Sequence, residues 1–481
     1  MARPLIFLHG YSANADDFEL WRSKLIAARG LNSNETFVID YKTLANNVGI
    51  NDIAEGFDRA LKEEANLGEL SEFDAVVHST GMLVIRAWLA RYNAMNRPER
   101  LRHLIALAPA TNGSPVAHKG RSWIGALVKG SKNWRGPDFM ESGDEVLKAL
   151  ELGSEFTWSL AERDLFGDGN TARFLKGPKS PFVFTFCGDS GLGAITDLAT
   201  QAVGTKINGS DGVVRWAGAA LNSRRLLIDY SLTDPSSKSN TPVFKVSEWT
   251  NQNNELVLWP GMNHGTIMDK HIDSILDLVV KAFDVESDDA YLKWNDEAQS
   301  AAASHRRRKK PRPWQQFVIR VSDERGVGVQ DWSIGLSLKK VNESRTRVVP
   351  IDDLHPYGPD KSYRCLHLDL EAAGIAPDSD LDSIESFVME LSLSTSTPYV
   401  VYERPEDDTK DGNDNGLAGI GEGLTRIRER LDVFLKPDNK YNFILPMPFT
   451  TTFVEIRVNR SPSPAAEGRS LCHVKSVERN H

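Results

Sequence analysis

Cysteine is scarce. Cys187, Cys365 and Cys472 are the three in 481 residues, too widely spaced for a disulfide framework or a zinc cluster. That number suits a reducing compartment. No stretch reaches the ~18 consecutive apolar residues of a membrane-crossing helix, so an integral membrane protein is not expected. Basic excess is missing too: 57 Lys and Arg against 66 Asp and Glu leave a net charge of −9. A nucleic-acid partner would normally leave the opposite footprint. Near the amino terminus, the apolar run Pro4–Leu8 stops at His9-Gly10, too short for the apolar region of a signal peptide. The expectation is a cytoplasmic protein, or one exported by a route that reads no such signal. Internal repeats are absent.

What is present is an ordinary folding composition, 40% hydrophobic and 26% charged. The chain is too long for one core, since single cores stop growing near ~250–300 residues. Up to about residue 295, apolar runs at 4–8, 36–40, 73–78, 102–108, 181–187 and 254–259 alternate with helical patterns at 51–66, 80–95 and 270–284. Such alternation predicts an α/β domain, a mostly parallel sheet flanked by helices. Residues 113–175 break the pattern. Rich in glycine and carrying Trp123, Ile124, Trp134 and Trp158, they read as a cap inserted over the sheet.

Residues 296–313 turn small and polar, then basic, with six Lys and Arg between Arg306 and Arg312. They read as a linker; contact with anionic lipid and a nuclear signal are the alternatives. From Trp314 the chain alternates with period two between polar turns, predicting a smaller β-sandwich-like domain over 314–460. Its strand runs include 316–323, 331–340, 345–352, 363–370, 386–394, 398–404, 441–446 and 450–460, with one helix at 423–434. Residues 461–481 carry no core pattern and are expected to be a flexible tail. None of the β-domain strands offers a catalytic candidate, so its expected role is targeting, docking or stability.

The chemistry concentrates at residues 73–92. An apolar strand runs directly into His78-Ser79-Thr80-Gly81, and a helical pattern follows at once. A serine on so sharp a strand-to-helix turn lifts its hydroxyl above the sheet edge, as a nucleophile elbow does. The usual G-x-S-x-G here reads V-x-S-x-G, with Val77 in the first glycine position. Late in the chain, Glu255–Trp259 is strand-like and His264 lies in the loop after it, where a general base belongs. For the acid, Asp211 precedes Gly212-Val213-Val214, whereas Asp189 directly follows the 181–187 run. The apolar pair favours Asp211, with Asp189 as the alternative. The order Ser79, Asp211, His264 is then that of an α/β-hydrolase triad.

With these motifs together, residues 1–290 resemble α/β-hydrolase serine lipases and esterases, in the branch of GPI inositol-deacylases and lecithin:cholesterol acyltransferase-like enzymes. The resemblance is carried by His9-Gly10-Tyr11, His78-Ser79-Thr80-Gly81, Ala108–Pro115, Gly209–Val214 and Asn263-His264-Gly265. It implies cleavage of carboxylic esters, of lipids or phospholipids above all, with no metal or cofactor. It implies an oxyanion hole from the backbone amides of Tyr11 and Thr80, with His9 bracing that loop. Trp123 and Ile124 are the expected substrate-binding residues, and peripheral membrane contact is a possible consequence of a bilayer-borne substrate. Two alternatives stay open: an acyltransferase using the same triad, and a non-catalytic binding module on a hydrolase scaffold.

Other signals carry less. Ser190, in Gly188-Asp189-Ser190, has the letters of a serine-hydrolase motif that belongs near the amino terminus of a different fold. Cys187 reads as a small buried hydrophobe, and His271 as a helix residue without a catalytic role. Asp411 to Glu422 fits the spacing of a calcium loop, but without the preceding helix such a loop needs it reads as a polar turn, with a weak structural calcium site as the alternative.

Overall fold

The structure, a computed structural model, describes residues 3–11, 15–41, 45–65, 67–68, 71–94, 100–117, 143–166, 180–191, 207–233, 242–246, 256–269, 272–307, 309–376, 379–395, 397, 399–403, 429–432, 447–462 and 471–472. Trp123, Ile124, His271, the Asp411–Glu422 loop and the 441–446 run lie outside them.

The first sheet is built from β1 (Leu5–Leu8), β2 (Thr36–Ile39), β3 (Phe73–His78), β4 (Leu101–Leu107), β5 (Phe182–Gly188) and β8 (Val257–Trp259). Its order is β2-β1-β3-β4-β5-β8, and every pairing is parallel. Each strand matches an apolar run read from the sequence. β1 and β3 are buried along their whole length, as strands covered on both faces must be. Alternate side chains serve two cores: Ile6, Leu8, Ala75 and Val77 face one, Leu5, Phe7 and Val76 the other. Helices Ile50–Glu63 and Gly81–Ala94 cover the first face, and Glu19–Arg29, Ile272–Ala282 and Asp288–His305 the second.

Asp288–His305 corrects the linker reading, because residues 296–305 are helical. Tyr291, Trp294, Asn295, Ala298 and Ala302 form its buried face. Small side chains there allow close packing and do not signal a tether. Ser287 caps it, accepting from the Ala290 amide at 3.2 Å. Of the basic run that follows, Arg306 donates to Asp189 (3.3 Å) and to the Leu258 carbonyl (2.9 Å), and Arg312 to Asp369 (2.7 Å). Arg307, Lys309 and Lys310 are exposed.

Within 113–175, helices Asp144–Leu150 and Glu155–Asp164 are packed into the core through Val146, Leu150, Leu160 and Ala161. The buried Arg86–Asp164 ion pair, 2.7 Å, ties the second of them to the helix after β3. Burial raises the Asp164 carboxyl pKa, with Arg86 opposing.

The remaining strands are β6 (Ser223–Thr233), β7 (Pro242–Val246), β9 (Trp314–Asp323), β10 (Trp332–Lys340), β11 (Arg347–Val348), β12 (Asp353–Pro356), β13 (Tyr363–Asp369), β14 (Ile384–Leu393), β15 (Val400–Glu403), β16 (Glu429–Asp432) and β17 (Thr450–Pro462). A four-stranded sheet has the order β11-β10-β14-β16. A larger one runs β12-β13-β9-β17-β6-β7, with β15 also paired to β17. The two units interlock here, since β6 and β7 precede residue 295 yet join the larger sheet, β6 running parallel to β17. β16 lies where a helix over 423–434 was expected. Residues Glu429–Asp432 instead pair antiparallel with β14, so an open strand edge overrides local helical preference.

The larger sheet is a middle layer. β10 buries one face in alternation, whereas β9 is buried on both. Phe317, Ile319 and Val321 of β9 meet the small sheet, while Trp314 and Val318 join the core of the first unit. Trp158 packs edge-on against Tyr363 and Phe453 across the same boundary, centroids 5.7 and 5.6 Å apart. The architecture is therefore a helix-flanked parallel sheet, then a mixed sheet, then a small antiparallel sheet.

Candidate active site

β3 ends at His78 and the next helix begins at Gly81, leaving Ser79 and Thr80 to make the turn. Ser79 has φ of 52°, a left-handed backbone that a serine adopts only when its surroundings impose it. Those surroundings are visible. The Ser79 amide donates to the Leu107 carbonyl at 3.2 Å, and the Ser79 carbonyl accepts from the Ala110 amide at 3.0 Å. A Cβ on Gly81 would fall 2.7 Å from the Leu8 carbonyl oxygen, and one on Gly10 would fall 2.9 Å from the Ser79 Cβ. Room at the elbow is thus supplied by Gly10 and Gly81. Val77, in the position of the missing first glycine, sits back in the sheet in register with Leu8.

Three sequence candidates meet. Ser79 Oγ lies 3.1 Å from His264 Nε2, and His264 Nδ1 lies 2.9 Å from Asp211 Oδ2. With Nδ1–H donating to the carboxylate, Nε2 is left free to accept the serine proton. Asp211 Oδ1 is filled by the Val213 (3.0 Å) and Val214 (2.8 Å) amides, which hold the carboxylate in place. The His264 amide also donates to the Asp211 carbonyl at 3.1 Å, joining the two loops directly. All three residues are buried, Ser79 the most accessible at 7%.

Asp189 goes elsewhere. Its Oδ1 accepts from the Gly261 amide (2.9 Å) and the Ser190 hydroxyl (3.2 Å), and Oδ2 from Arg306. It braces the turn beside the histidine loop. Ser190 is occupied with that bracing. Cys187 is buried under the site, its thiol pKa pushed up by burial and then by the Asp211 charge.

The loop after β1 lies against Ser79, as the Gly10 contact requires, with Tyr11 buried. His9 stiffens it: Nδ1–H donates to the Gly10 carbonyl (2.8 Å), and Nε2 accepts from the Tyr41 amide (3.1 Å). The two rings stack with centroids 4.1 Å apart, and the Tyr41 hydroxyl donates to the His9 carbonyl. Burial lowers the His9 pKa, in keeping with this neutral arrangement. Thr80 is buried at the start of the following helix.

Sequence reading missed two contributors. His78 donates from Nε2 to the His264 carbonyl at 3.1 Å, and burial, aided by His264, holds its pKa down at about 3. Its place beside Ser79 was the available signal. Arg215, next to Val214, reaches partners more than a hundred residues away, for which no local signal exists. Among the described residues, no group of three or more His, Cys, Asp or Glu side chains could hold a metal ion, and no helix is long and apolar enough to cross a membrane.

No protein-family profile matches the sequence, and no curated protein matches it. Solved structures do match. Phospholipase PlaB from Legionella pneumophila in complex with thio-NAD superposes with a TM-score of 0.72 at 20% identity, covering 98% of both chains. A second structure of phospholipase PlaB from Legionella pneumophila gives 0.71 at 20% identity, covering 99% of this chain and 97% of that one. The chain has the α/β-hydrolase fold. Because the superposition spans both units, the likeness extends to the α/β-hydrolase unit and the β-layers together. The narrower branch of GPI inositol-deacylases is not represented by these two structures.

Proposed function

We propose that this chain is a carboxylic ester hydrolase acting on lipid or phospholipid acyl esters through an acyl-enzyme at Ser79. The observation that carries the reading is the unbroken hydrogen-bonded line from Ser79 Oγ through His264 to Asp211, whose far carboxylate oxygen is anchored by two amides. A serine that served only as a helix cap would have no need of a left-handed elbow or a buried histidine partner.

In this reading Ser79 Oγ attacks the ester carbonyl while its proton passes to His264 Nε2. Asp211 keeps Nδ1 protonated and stabilises the imidazolium. The Tyr11 and Thr80 amides hold the oxyanion, worth roughly 3–4 kcal/mol per donor in comparable sites. Collapse of the tetrahedral intermediate expels the alcohol, which takes the proton from His264. Water, activated by the same histidine, then attacks the acyl-enzyme and frees Ser79 and a fatty acid. The lipid preference is suggested by the phospholipase whose structure this chain resembles and by the aromatic 113–175 segment.

The test is fatty-acid release from phosphatidylcholine vesicles and from a soluble acetate ester, by the parent and by Ser79→Ala. Release by the parent and none by the variant is expected. Equal release by both would overturn the reading. Ester formation from an added alcohol, in place of free acid, would make the chain an acyltransferase.

A further inference from the structure

The loop carrying Asp211 has four residues between bridge partners, Ser210 pairing with Arg215, and the Asp211 amide donates to the Val214 carbonyl at 3.1 Å. Such a loop fixes its own shape but not its place over the sheet. Its place is set partly by the first unit, where the His264 amide donates to the Asp211 carbonyl (3.1 Å) and the Ser114 hydroxyl to the Val213 carbonyl (2.6 Å), and partly from the other unit. Arg215 is buried, and its guanidinium is shared among four acceptors: the Asn208 carbonyl (3.2 Å), His367 Nδ1 (2.5 Å), Asp353 (2.6 Å) and Asp352 (3.5 Å). Three of these belong to the β-domain. Asn208 closes the ring by donating to Asp352 at 2.8 Å. On the other side of the loop, a Cβ on Gly209 would fall 2.6 Å from the Trp314 indole. Trp314 itself lies flat on His367, centroids 4.6 Å apart and planes 5° from parallel.

From this we infer that Arg215 is a positioning residue for the triad acid, clamping the Asp211 loop to the β-domain so that the β-domain is part of the catalytic unit. The inference rests on the proposed serine mechanism and extends it. A carboxylate must be held to within a fraction of an ångström to orient its histidine, and a supporting shell of charge-assisted bonds on a rigid sheet does that. Arginine suits the task because its planar fork serves several acceptors at once without losing its charge. Among the described residues, none from the β-domain hydrogen-bonds to the Ser79, His264 or Asp211 side chains. Its contribution passes through Arg215 to Asp211 and on to His264.

The experiment is a double-mutant cycle read by the rate of fluorophosphonate labelling in the full chain, with folding checked by thermal melting. Arg215→Gln should label roughly 10–100-fold more slowly than the parent, a part of what loss of the acid itself costs. On an Asp211→Asn background the same change should cost less than about twofold, because there is no acid left to position. Arg215→Lys, which keeps the charge and can still reach one acceptor, should recover much of the rate. A role confined to stability would give equal fractional losses on both backgrounds, and that result overturns the inference, as does parent-like labelling by folded Arg215→Gln. If Arg215→Gln does not fold, Asp353→Asn takes its place. It loosens one bond at a part-exposed carboxylate and should slow labelling about three- to tenfold on the parent background only. Ser79→Ala is run alongside. Labelling of that variant at the parent rate would overturn the serine mechanism itself and this inference with it, whereas no labelling of Ser79→Ala with equal losses in the cycle overturns this inference alone.

Discussion

Gly209 lies directly beneath the indole of Trp314, so close that a Cβ added there would fall 2.6 Å from the ring. The two residues belong to different units of the chain, yet their contact fixes the loop that carries Asp211. Gly209 also has φ of 61°. Gly209→Ala therefore adds a clash to left-handed strain and should lower stability by about 2–4 kcal/mol. Gly30, with φ of 61° and open space around it, is the control. Gly30→Ala should cost only about 1–2 kcal/mol of backbone strain and leave turnover unchanged. Denaturant unfolding of the two variants separates clash from strain; equal losses would mean that Trp314 yields.

A second expectation separates the two aspartates. Asp211→Asn should reduce ester turnover roughly 10²–10⁴-fold while the fold survives, because the amide disturbs the tautomer of His264. Asp189→Asn should cost at most about tenfold, since Asp189 braces the Gly261 turn and Arg306 and does not touch His264. Turnover of both variants on one soluble ester decides. A crippled Asp189→Asn beside a near-parent Asp211→Asn would exchange their roles.

Acid sensitivity follows from two buried histidines. Burial first, then the Arg215 charge, lowers the His367 pKa from 6.5 to about 3, and His78 is held equally low. Between those values the unfolded chain takes up protons that the folded chain refuses. Stability from these groups is therefore present above about pH 6.5 and is lost as pH falls toward 3, by about 1.4 kcal/mol per pH unit for each. His367→Gln keeps an acceptor for Arg215 and removes one titration. Its loss of stability between pH 6 and pH 4 should be shallower than the parent's by about that amount. Parallel slopes would contradict the assignment.

A fourth expectation concerns substrate length and rests on sequence alone. If Trp123 and Ile124 line an acyl site, replacing both with Ser should reduce turnover of long-chain esters more than of acetate esters. Equal losses on both would make the segment structural.

The serine and histidine candidates were legible because Ser79 and His264 each lie within a few residues of a strand end. Apolar runs ending at His78 and Trp259 marked where the loops must open, and the Val213-Val214 pair distinguished Asp211 from Asp189. What the sequence hid was long-range. β9 reads as an alternating sandwich strand, but its second face is buried too, because its outer polar positions meet another unit: Gln316 packs against Gly218. β6 and β7 look like part of the first domain, and only their pairing with β17 reveals the interlock. Ala298 and Ala302 look like linker residues until Tyr291 and Trp294 are seen on the same helical face. Arg215 falls in the same class, since three of its four acceptors lie 137 to 152 residues away.

The most direct test of the central claim is to react the full chain with a fluorophosphonate and identify the modified residue by peptide mass spectrometry. The triad assignment predicts one adduct, on the peptide containing Ser79, whose formation rate falls by roughly 10²-fold or more in His264→Ala. An adduct on Ser190 or any other residue, or a Ser79 adduct formed at the parent rate without His264, would contradict it.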